Sequence, residues 1–271
     1  RETDAIIHVL RCFENDNIVH VDGSVDPIRD KETIDIELQL KDLEAIDKKL
    51  QKYEKLSRTG DKDSRKVVDI LEKYKAHLEQ GKSVRSIDLE DKEKKYVADL
   101  MLLTDKPIMY VCNVDEASIK NGNPKVDRVK EIVKDEDTSV LMIAASTEAD
   151  ITELDSYEER QMFLEDIGLD EPGVSKLIRS AYQLLNLSTY FTAGVKEVRA
   201  WTIKQGTRAP QAAGVIHSDF EKGFIRAEVI KYTDFVELGS ELACKENGKM
   251  SVEGKEYVVA DGDIMHFRFN T

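Results

Sequence analysis

The stretch that most constrains the fold runs from Pro107 to Glu116. It consists of a proline, the apolar run Ile-Met-Tyr-Val-Cys over 108–112, and the polar sequence Asn-Val-Asp-Glu over 113–116. An apolar run without polar alternation predicts a strand that is buried on both faces, as the strands of parallel sheets are. Ligands of open α/β sheets bind beyond the carboxyl ends of such strands. Asn113 and Glu116 are therefore the first candidates for a binding site.

Two more apolar runs predict neighbouring buried strands, over Asp4–Cys12 and Ser139–Ala144. Helices are predicted between and after these strands, and such alternation is typical of right-handed βαβ units. A helix over Ile87–Leu103 is expected to pack four apolar side chains inward, namely Val97, Leu100, Met101 and Leu103. The other predicted helices span Pro124–Lys134, Ser156–Ile167 with Gly168 as its C-cap, and Pro172–Leu185.

A long amphipathic segment follows the first strand. Apolar residues recur at three- and four-residue steps from Ile36 to Tyr53, a polar break lies at Ser57–Ser64, and a second helical run extends to Leu78. The pattern predicts an antiparallel helical hairpin with a coiled-coil-like seam, inserted over residues 34–80. Residues 37–79 hold 11 Lys or Arg and 10 Asp or Glu, so the insertion is nearly neutral. Two interpretations stay open: a structural insertion with a solvated face, and a projecting arm that contacts a large partner.

The sequence changes character after Asn186. Alternating patterns predict four strands, over Val195–Ile203, Gly223–Ile230, Glu256–Val259 and Ile264–Phe269. A short helix is predicted over Pro210–Phe220, and Asp261-Gly262-Asp263 is a hairpin turn signal between the last two strands. Strands around one helix in so short a segment predict a small α+β domain. We therefore assign residues 1–186 to a partial α/β domain with a parallel sheet, and residues 187–271 to an α+β domain.

The composition excludes several classes of protein. A net charge of −14 argues against a chain that coats nucleic acid by bulk electrostatics. Cys12, Cys112 and Cys244 are far apart and form no C-x-x-C pair, which suits a reducing compartment such as the cytoplasm. No apolar run approaches the ~18 residues that a membrane span needs. The chain starts at Arg1 without an initiator methionine and enters a predicted buried strand at once, so we expect that upstream sequence belongs to it.

The polar sequence after the central strand has the positions of a base-recognition motif. Guanine-specific GTPases use Asn-Lys-x-Asp, in which the Asp carboxylate accepts hydrogen bonds from guanine. At the matching positions this chain has Asn113, Val114 and Glu116. A longer acid weakens guanine selection and relieves the repulsion of adenine N1, so the chemistry favours adenine or relaxed specificity. The motif is short, and an ordinary polar loop between a strand and a helix is the alternative.

No catalytic residue and no metal ligand is assigned from the sequence. The chain contains no G-x-x-x-x-G-K-[ST] sequence, which is the phosphate-binding loop of many nucleotide hydrolases. No Ser/His/Asp or Cys/His arrangement stands out. His8 and His20 have no partner at metal-ligand spacing and are predicted to be structural.

Two stretches of the C-terminal domain carry a specific resemblance. The first is Thr-Tyr-Phe-Thr-Ala-Gly over 189–194 with Glu-Val-Arg-Ala-Trp-Thr-Ile over 197–203. The second is Ala-Pro-Gln-Ala-Ala-Gly-Val-Ile-His-Ser-Asp-Phe-Glu-Lys-Gly-Phe-Ile-Arg-Ala over 209–227. With these stretches the chain resembles the bacterial branch of the YchF/Obg-like ATPase family over essentially all 271 residues. The resemblance implies a P-loop NTPase-type domain with a coiled-coil insertion, followed by a TGS domain of β-grasp type.

The resemblance also implies an activity and partners. The expected activity is ATP hydrolysis with Mg²⁺, with GTP as a second substrate, in a monomeric, translation-linked switch. The expected partners are the ribosome, through its large subunit, and RNA. The family's phosphate-binding loop, switch segments and Mg²⁺ ligands would lie outside these 271 residues. The chain alone is therefore expected to bind nucleotide weakly or not at all, and not to hydrolyse it.

Site residues are carried over from the resemblance by position. Asn113 would contact the base, the backbone of Val114 would read it, and Glu116 would take the acid position. A second loop beside the base would consist of Ala144, Ala145 and Ser146.

Basic residues of the C-terminal domain are candidates for RNA or ribosome contact. Strand alternation is expected to place some of them on one face, beside Trp201 or Phe224, and the candidates are Lys204, Arg208, Lys222 and Arg226. The alternative is that Trp201 belongs to the core and that the cations are scattered. Two functions thus stay open: a ribosome-linked nucleotide hydrolase, and a non-catalytic module that binds RNA or the ribosome.

Overall fold

The computed structural model of the chain describes residues 2–88, 90–194 and 197–270. These residues fall into two units, Arg1–Leu184 and Leu185–Thr271.

A three-stranded parallel sheet forms the centre of the first unit. Its strands are β1 (Ile6–Arg11), β2 (Ile108–Asn113) and β3 (Val140–Ile143), in the order β1-β2-β3. In the register, Leu10 lies beside Cys112, and Cys112 lies beside Met142. Residues 108–112 of the central strand are all buried. The three predicted strands and the burial of β2 on both faces are thus confirmed.

The prediction of a fully buried first strand is wrong. Ile7 and Val9 are 44% and 61% exposed, whereas His8 and Leu10 on the opposite face of β1 are buried. Strand β1 lies at the edge of the described sheet and contacts α1, and this packing leaves Ile7 and Val9 exposed.

Seven helices of the first unit surround this sheet or extend from it in the described residues. They are α1 (Pro27–Ser57), α2 (Lys62–Leu78), α3 (Asp91–Lys94), α4 (Pro124–Ile132), α5 (Ala145–Glu153), α6 (Tyr157–Ile167) and α7 (Gly173–Leu184). The predicted helices α4, α6 and α7 are confirmed, and Gly168 ends α6 with φ 66°, in the left-handed region. Helix α5 was not predicted.

Helices α1 and α2 form the predicted hairpin, which is joined by residues 58–61. Their seam buries apolar residues at helical spacing, namely Ile46, Leu50, Val67, Ile70, Leu71, Tyr74 and Leu78. Helix α1 begins seven residues before the predicted boundary, because Asp26 caps its N-terminus and Pro27 occupies its first turn. Gly60 supplies the turn with φ 92°.

The predicted helix over Ile87–Leu103 is wrong. The described part of this segment holds only the single turn α3 and a short 3₁₀ turn at Ala98–Leu100. Met101 adopts the left-handed conformation, φ 46°, and is 53% exposed, so Leu102 packs inward where Leu103 was expected. The fully buried carboxylate of Asp42 fixes this path, since it accepts hydrogen bonds from the amides of Leu103 (2.9 Å) and Thr104 (2.7 Å).

The second unit is a five-stranded mixed sheet with helices on its faces, which confirms the predicted α+β architecture. The strands are β4 (Leu187–Ala193), β5 (Val198–Lys204), β6 (Phe224–Ile230), β7 (Met250–Glu253) and β8 (Ile264–Phe269), in the order β5-β4-β8-β6-β7. The helices are α8 (Ala209–Ile216), α9 (Ser218–Lys222), α10 (Tyr232–Leu238) and α11 (Glu241–Glu246). Strands β4 and β7 and helices α10 and α11 were not predicted. The start of the predicted strand at Val195 lies outside the described residues.

The predicted hairpin of Glu256–Val259 with Ile264–Phe269 is wrong. The first segment makes only one isolated bridge, between Arg208 and Val258, and β8 pairs with β6 and β4. The fully buried Asp263 accepts hydrogen bonds from the Ala260 amide (2.9 Å) and the Tyr257 hydroxyl (2.6 Å). The segment therefore folds around this carboxylate.

Among the residues that the structure describes, no helix is long and apolar enough to cross a membrane.

Candidate functional site

The carboxyl ends of β2 and β3 bring the two candidate loops together. Asn113 is the last residue of β2 and lies beside Ile143, the last residue of β3. Its side-chain oxygen Oδ1 accepts a hydrogen bond of 3.1 Å from the backbone N–H of Ala145. The amide group of Asn113 thus joins the strand end to the first turn of α5, and its Nδ2 group is the part that can donate to a ligand.

In the sequence Asn-Val-Asp-Glu some groups make contacts within the protein and others are free to contact a ligand. The Val114 side chain is buried, and its backbone N–H donates to the carbonyl of Ile143 (2.9 Å). Asp115 caps a 3₁₀ turn over Glu116–Ser118 by accepting from the Ser118 amide (2.9 Å). The carboxylate side chain of Glu116 is exposed. A ligand at this corner would meet Asn113 Nδ2, the backbone near Val114 and the Glu116 carboxylate.

The second loop consists of the small residues at the start of α5. Ala144 is fully buried, while Ala145 and Ser146 are exposed in the first turn of the helix. Ala144 provides no side-chain cap, so Asn113 takes that role from a neighbouring strand. Sequence reasoning missed the helix, although Ala and Glu in residues 144–149 are helix-favouring.

Asn123 supports this corner and was missed by sequence reasoning. Its Nδ2 group donates to the carbonyl of Cys12 (2.7 Å), and its Oδ1 accepts from the amides of Lys125 and Val126 at the start of α4. One side chain therefore ties the end of β1 to the N-terminus of α4. The sequence signal was available, because an Asn directly before a helix-opening Pro is typical of an N-cap.

Two thiols lie beneath the corner. Cys12 and Cys112 are fully buried and free, and their side chains share a hydrogen bond. This hydrogen bond, together with burial, raises the pKa of the Cys12 thiol above its usual value. Neither thiol is placed to react with solvent.

One group of side chains in the described residues has metal-ligand chemistry. Ligand atoms of His20, Asp22 and Asp30 lie within 4.8 Å of one another. Arg29 pairs with both carboxylates, at 3.5 Å to Asp22 and 3.2 Å to Asp30, and His20 Nε2 lies 3.0 Å from Asp30. Mg²⁺ prefers an octahedron of oxygen ligands, so an imidazole and two carboxylates already paired with Arg29 do not fit it.

The structure places two of the four basic candidates of the second unit far apart and gives the other two acidic neighbours. Lys204 lies beside Leu187 at the start of β4, and Arg226 lies beside Arg268 near the end of β8. With ~3.3 Å per residue, the register puts them about 25 Å apart along the strands. Arg208 is paired with Glu256, and Lys222 lies 3.9 Å from Asp219. Lys204 and Arg226 therefore do not share one patch, and the contact of the four cations with RNA stays a prediction.

Trp201 is half-buried against the core of the second unit. Its indole N–H donates to Thr192 Oγ1 (2.9 Å), and the guanidinium of Arg199 lies 4.0 Å from its ring centre. The indole thus packs on the core and is also contacted by a cation. It therefore has features of both a core residue and a surface residue beside basic side chains.

Comparison with known proteins decides the family. The family described as YchF-GTPase_C, protein of unknown function (DUF933), matches residues 187–270. The chain is 53% identical to the ribosome-binding ATPase YchF of Haemophilus ducreyi over 270 residues, covering 100% of this chain and 74% of that protein. The chain belongs to the YchF/Obg-like ATPase family.

Other relatives agree with this assignment. The chain is 50% identical to the ribosome-binding ATPase YchF of Bacillus subtilis (100% of this chain, 74% of the relative). It is 47% identical to Obg-like ATPase 1 of Rattus norvegicus (99% and 69%). The solved structure of the Schizosaccharomyces pombe YchF GTPase superposes with a TM-score of 0.84 at 36% identity, over 98% of this chain and 72% of that one. Family and fold therefore agree with the resemblance seen in the sequence.

Proposed function

We propose that this chain is the base-recognising and ribosome-contacting part of a nucleotide hydrolase that acts as a translation-linked switch, with ATP preferred or tolerated over GTP. The main support is the hydrogen bond that joins Asn113 to the start of α5, where a base could bind. Relatives in the family are named ribosome-binding ATPases. In this proposal residues 1–186 are a nucleotide-binding domain with a helical insertion over 34–80, and residues 187–271 are a TGS domain. The protein acts as a cytoplasmic monomer on the large ribosomal subunit.

The corner suits a purine base for a specific reason. Asn113 Oδ1 already accepts from Ala145, so the side chain offers its Nδ2 donor, which matches a ring nitrogen such as N7. The small residues Ala144, Ala145 and Ser146 leave room for a flat ring. The acid at the fourth motif position, Glu116, is exposed and reaches further than Asp, which relaxes selection for guanine. Adenine is therefore accepted.

The phosphates and Mg²⁺ require groups other than those described. Mg²⁺ would neutralise charge that develops on the transferred phosphoryl group. The His20, Asp22 and Asp30 group does not fit it, and the 271 residues contain no G-x-x-x-x-G-K-[ST] sequence. We therefore propose that these residues alone bind nucleotide weakly and do not hydrolyse it. Clear ATP turnover by the purified chain would contradict this.

A non-catalytic RNA- or ribosome-binding module is the second candidate. The projecting α1–α2 hairpin and the lack of a phosphate-loop sequence favour it. Asn113→Ala separates the two functions in a combined assay of nucleotide affinity and co-sedimentation with ribosomes. Reduced nucleotide affinity with intact ribosome binding supports the hydrolase, whereas unchanged nucleotide affinity supports the module.

A further inference from the structure

The distal end of the helical hairpin carries a local charge opposite to that of the chain. We define the hairpin tip as residues 48–66, which include the end of α1, the turn and the start of α2. The tip holds eight Lys or Arg and three Asp or Glu, a formal charge of +5, whereas the whole chain carries −14. The near-neutral balance of the whole hairpin hides this separation of charge.

Most of these cations are available to a partner. Lys48, Lys49 and Lys66 pair with acids, namely Glu44, Asp99 and Asp63. In the part of the chain that the structure describes, the other five make no ion pair and are exposed: Lys52, Lys55, Arg58, Lys62 and Arg65.

Two of the tip's acids are committed locally. Asp61 caps α2, because its carboxylate accepts from the amides of Asp63 (3.3 Å) and Ser64 (3.1 Å). The carboxylate of Asp63 lies 3.9 Å from Lys66 and is in the first turn of α2, where an acid favours the helix dipole. In the described residues neither acid forms an ion pair with any of the five unpaired cations.

Two of the cations stand where they weaken the fold. Lys62 and Arg65 lie in the first turns of α2, and a helix N-terminus disfavours positive charge. Helix stability therefore does not explain them. An anion seated at the tip would be attracted by these cations.

We infer that the hairpin tip docks on the phosphate backbone of RNA, and this inference rests on the proposed ribosome contact, which it localises. Lys52 and Arg58 are about 9 Å apart along α1 at 1.5 Å per residue, and packed helices lie about 8–10 Å apart. The cations thus cover an area of about 9 Å by 8–10 Å, which is wide enough to contact more than one phosphate. A membrane surface is disfavoured, because Leu56 is the only large apolar side chain exposed at the described tip.

The test compares two triple variants of the 271-residue chain. Arg58→Gln, Lys62→Gln and Arg65→Gln neutralise the tip. Lys176→Gln, Lys245→Gln and Lys255→Gln remove the same charge from exposed side chains elsewhere. Binding of a fluorescent RNA duplex of mixed sequence is measured by anisotropy over a salt series, with phosphatidylserine-containing vesicles as a second probe.

The tip variant is expected to bind RNA roughly tenfold or more weakly at 0.1 M salt. The slope of log Kd against log salt should be lower by about 1 for each phosphate that the variant no longer neutralises. The control variant is expected to keep the affinity and slope of the unmodified chain. The tip variant should melt near the temperature of the unmodified chain, because removing positive charge from the N-terminus of α2 is opposed by removing Arg58 from the C-terminus of α1.

Two results would overturn the inference: equal RNA affinity and slope for both variants, or loss of vesicle binding with RNA binding intact. Co-sedimentation with ribosomes separates this failure from that of the proposed function. If the tip variant keeps normal RNA affinity and still sediments with ribosomes, only the docking of the hairpin tip on RNA is refuted. Absence of ribosome binding in the unmodified chain refutes the proposed function.

Discussion

Replacing Asn113 with Asp and with Ala separates the two roles that its amide group has in this structure. The Oδ1 atom accepts from the Ala145 N–H at the start of α5, and the Nδ2 group is the donor offered to a base. Asp has the same shape and keeps an acceptor, but it has no donor. Ala removes both groups. The two variants should therefore differ in stability, and both should weaken nucleotide binding.

The expected magnitudes follow from one exposed hydrogen bond and one helix end. Asn113→Ala loses a hydrogen bond that contributes about 0.5–1.5 kcal/mol, and water can replace it because Ala145 is exposed. For a unit of this size the melting temperature falls by about 2–4 °C per kcal/mol, so we expect a fall of about 1–6 °C. Asn113→Asp keeps the bond and adds a negative charge at the N-terminus of α5, which contributes about 0.3–1 kcal/mol. Its melting temperature should be unchanged or up to about 4 °C higher.

Thermal unfolding followed by two signals measures this difference. Far-ultraviolet circular dichroism reports mainly the long helices of the first unit. Fluorescence of Trp201, the only tryptophan of the chain, reports the second unit and serves as the internal control. Equal destabilisation by both substitutions would refute the assigned role of Asn113 Oδ1.

Nucleotide affinity supplies the second half of the test. Both variants lack the Nδ2 donor, and loss of one hydrogen bond weakens binding by about 0.5–1.5 kcal/mol, or roughly two- to twelvefold. Asp also repels a ring nitrogen, so its effect should be the larger of the two. Wild-type affinity in Asn113→Asp would show that the base does not contact this side chain.

Two further predictions concern stability. Asp42→Ala leaves the amides of Leu103 and Thr104 without their acceptor. We expect the free energy of unfolding to fall by about 2–4 kcal/mol, measured by circular dichroism as a lower urea midpoint. A fall below about 1 kcal/mol would contradict the role given to this carboxylate. His8 is buried, which lowers its pKa below 6.5, so unfolding takes up a proton and stability falls as the pH drops below about 6.5. His8→Phe should flatten the dependence of the urea midpoint on pH in that window, and an unchanged slope would exclude His8 as its source.

The sequence predicted the parts of the fold that depend on the pattern of apolar residues and on residues that begin or end helices. The run over 108–112 specified the central strand, and Asn123-Pro124 and Gly168 marked the ends of helices. The two base-corner loops could be named because each follows a buried strand of a parallel sheet. Their meeting at the Asn113–Ala145 hydrogen bond required the register of the strands.

Two of the failures share one physical cause, which is control of the chain path by a buried carboxylate. Asp42 binds the amides of a segment 61 residues away and prevents a helix that the apolar spacing favoured. Asp263 does the same for the expected hairpin near Tyr257. The contact of Asp42 is long-range and leaves no local pattern in the sequence. The positive charge of the hairpin tip was missed for another reason. Counted over the whole hairpin, it is offset by acidic residues elsewhere in the two helices.

The choice between the two candidate functions depends on whether a nucleotide base binds at the corner formed by Asn113 and the start of α5. Equilibrium titration of the isotope-labelled chain with ATP and with GTP, followed by amide NMR, tests it most directly. The account predicts weak binding of ATP, with shifts concentrated in the two corner loops, over 113–116 and 144–146, and weakened by Asn113→Asp. Saturable shifts elsewhere, or none at the corner with either nucleotide, would contradict the assignment of this corner as the base site.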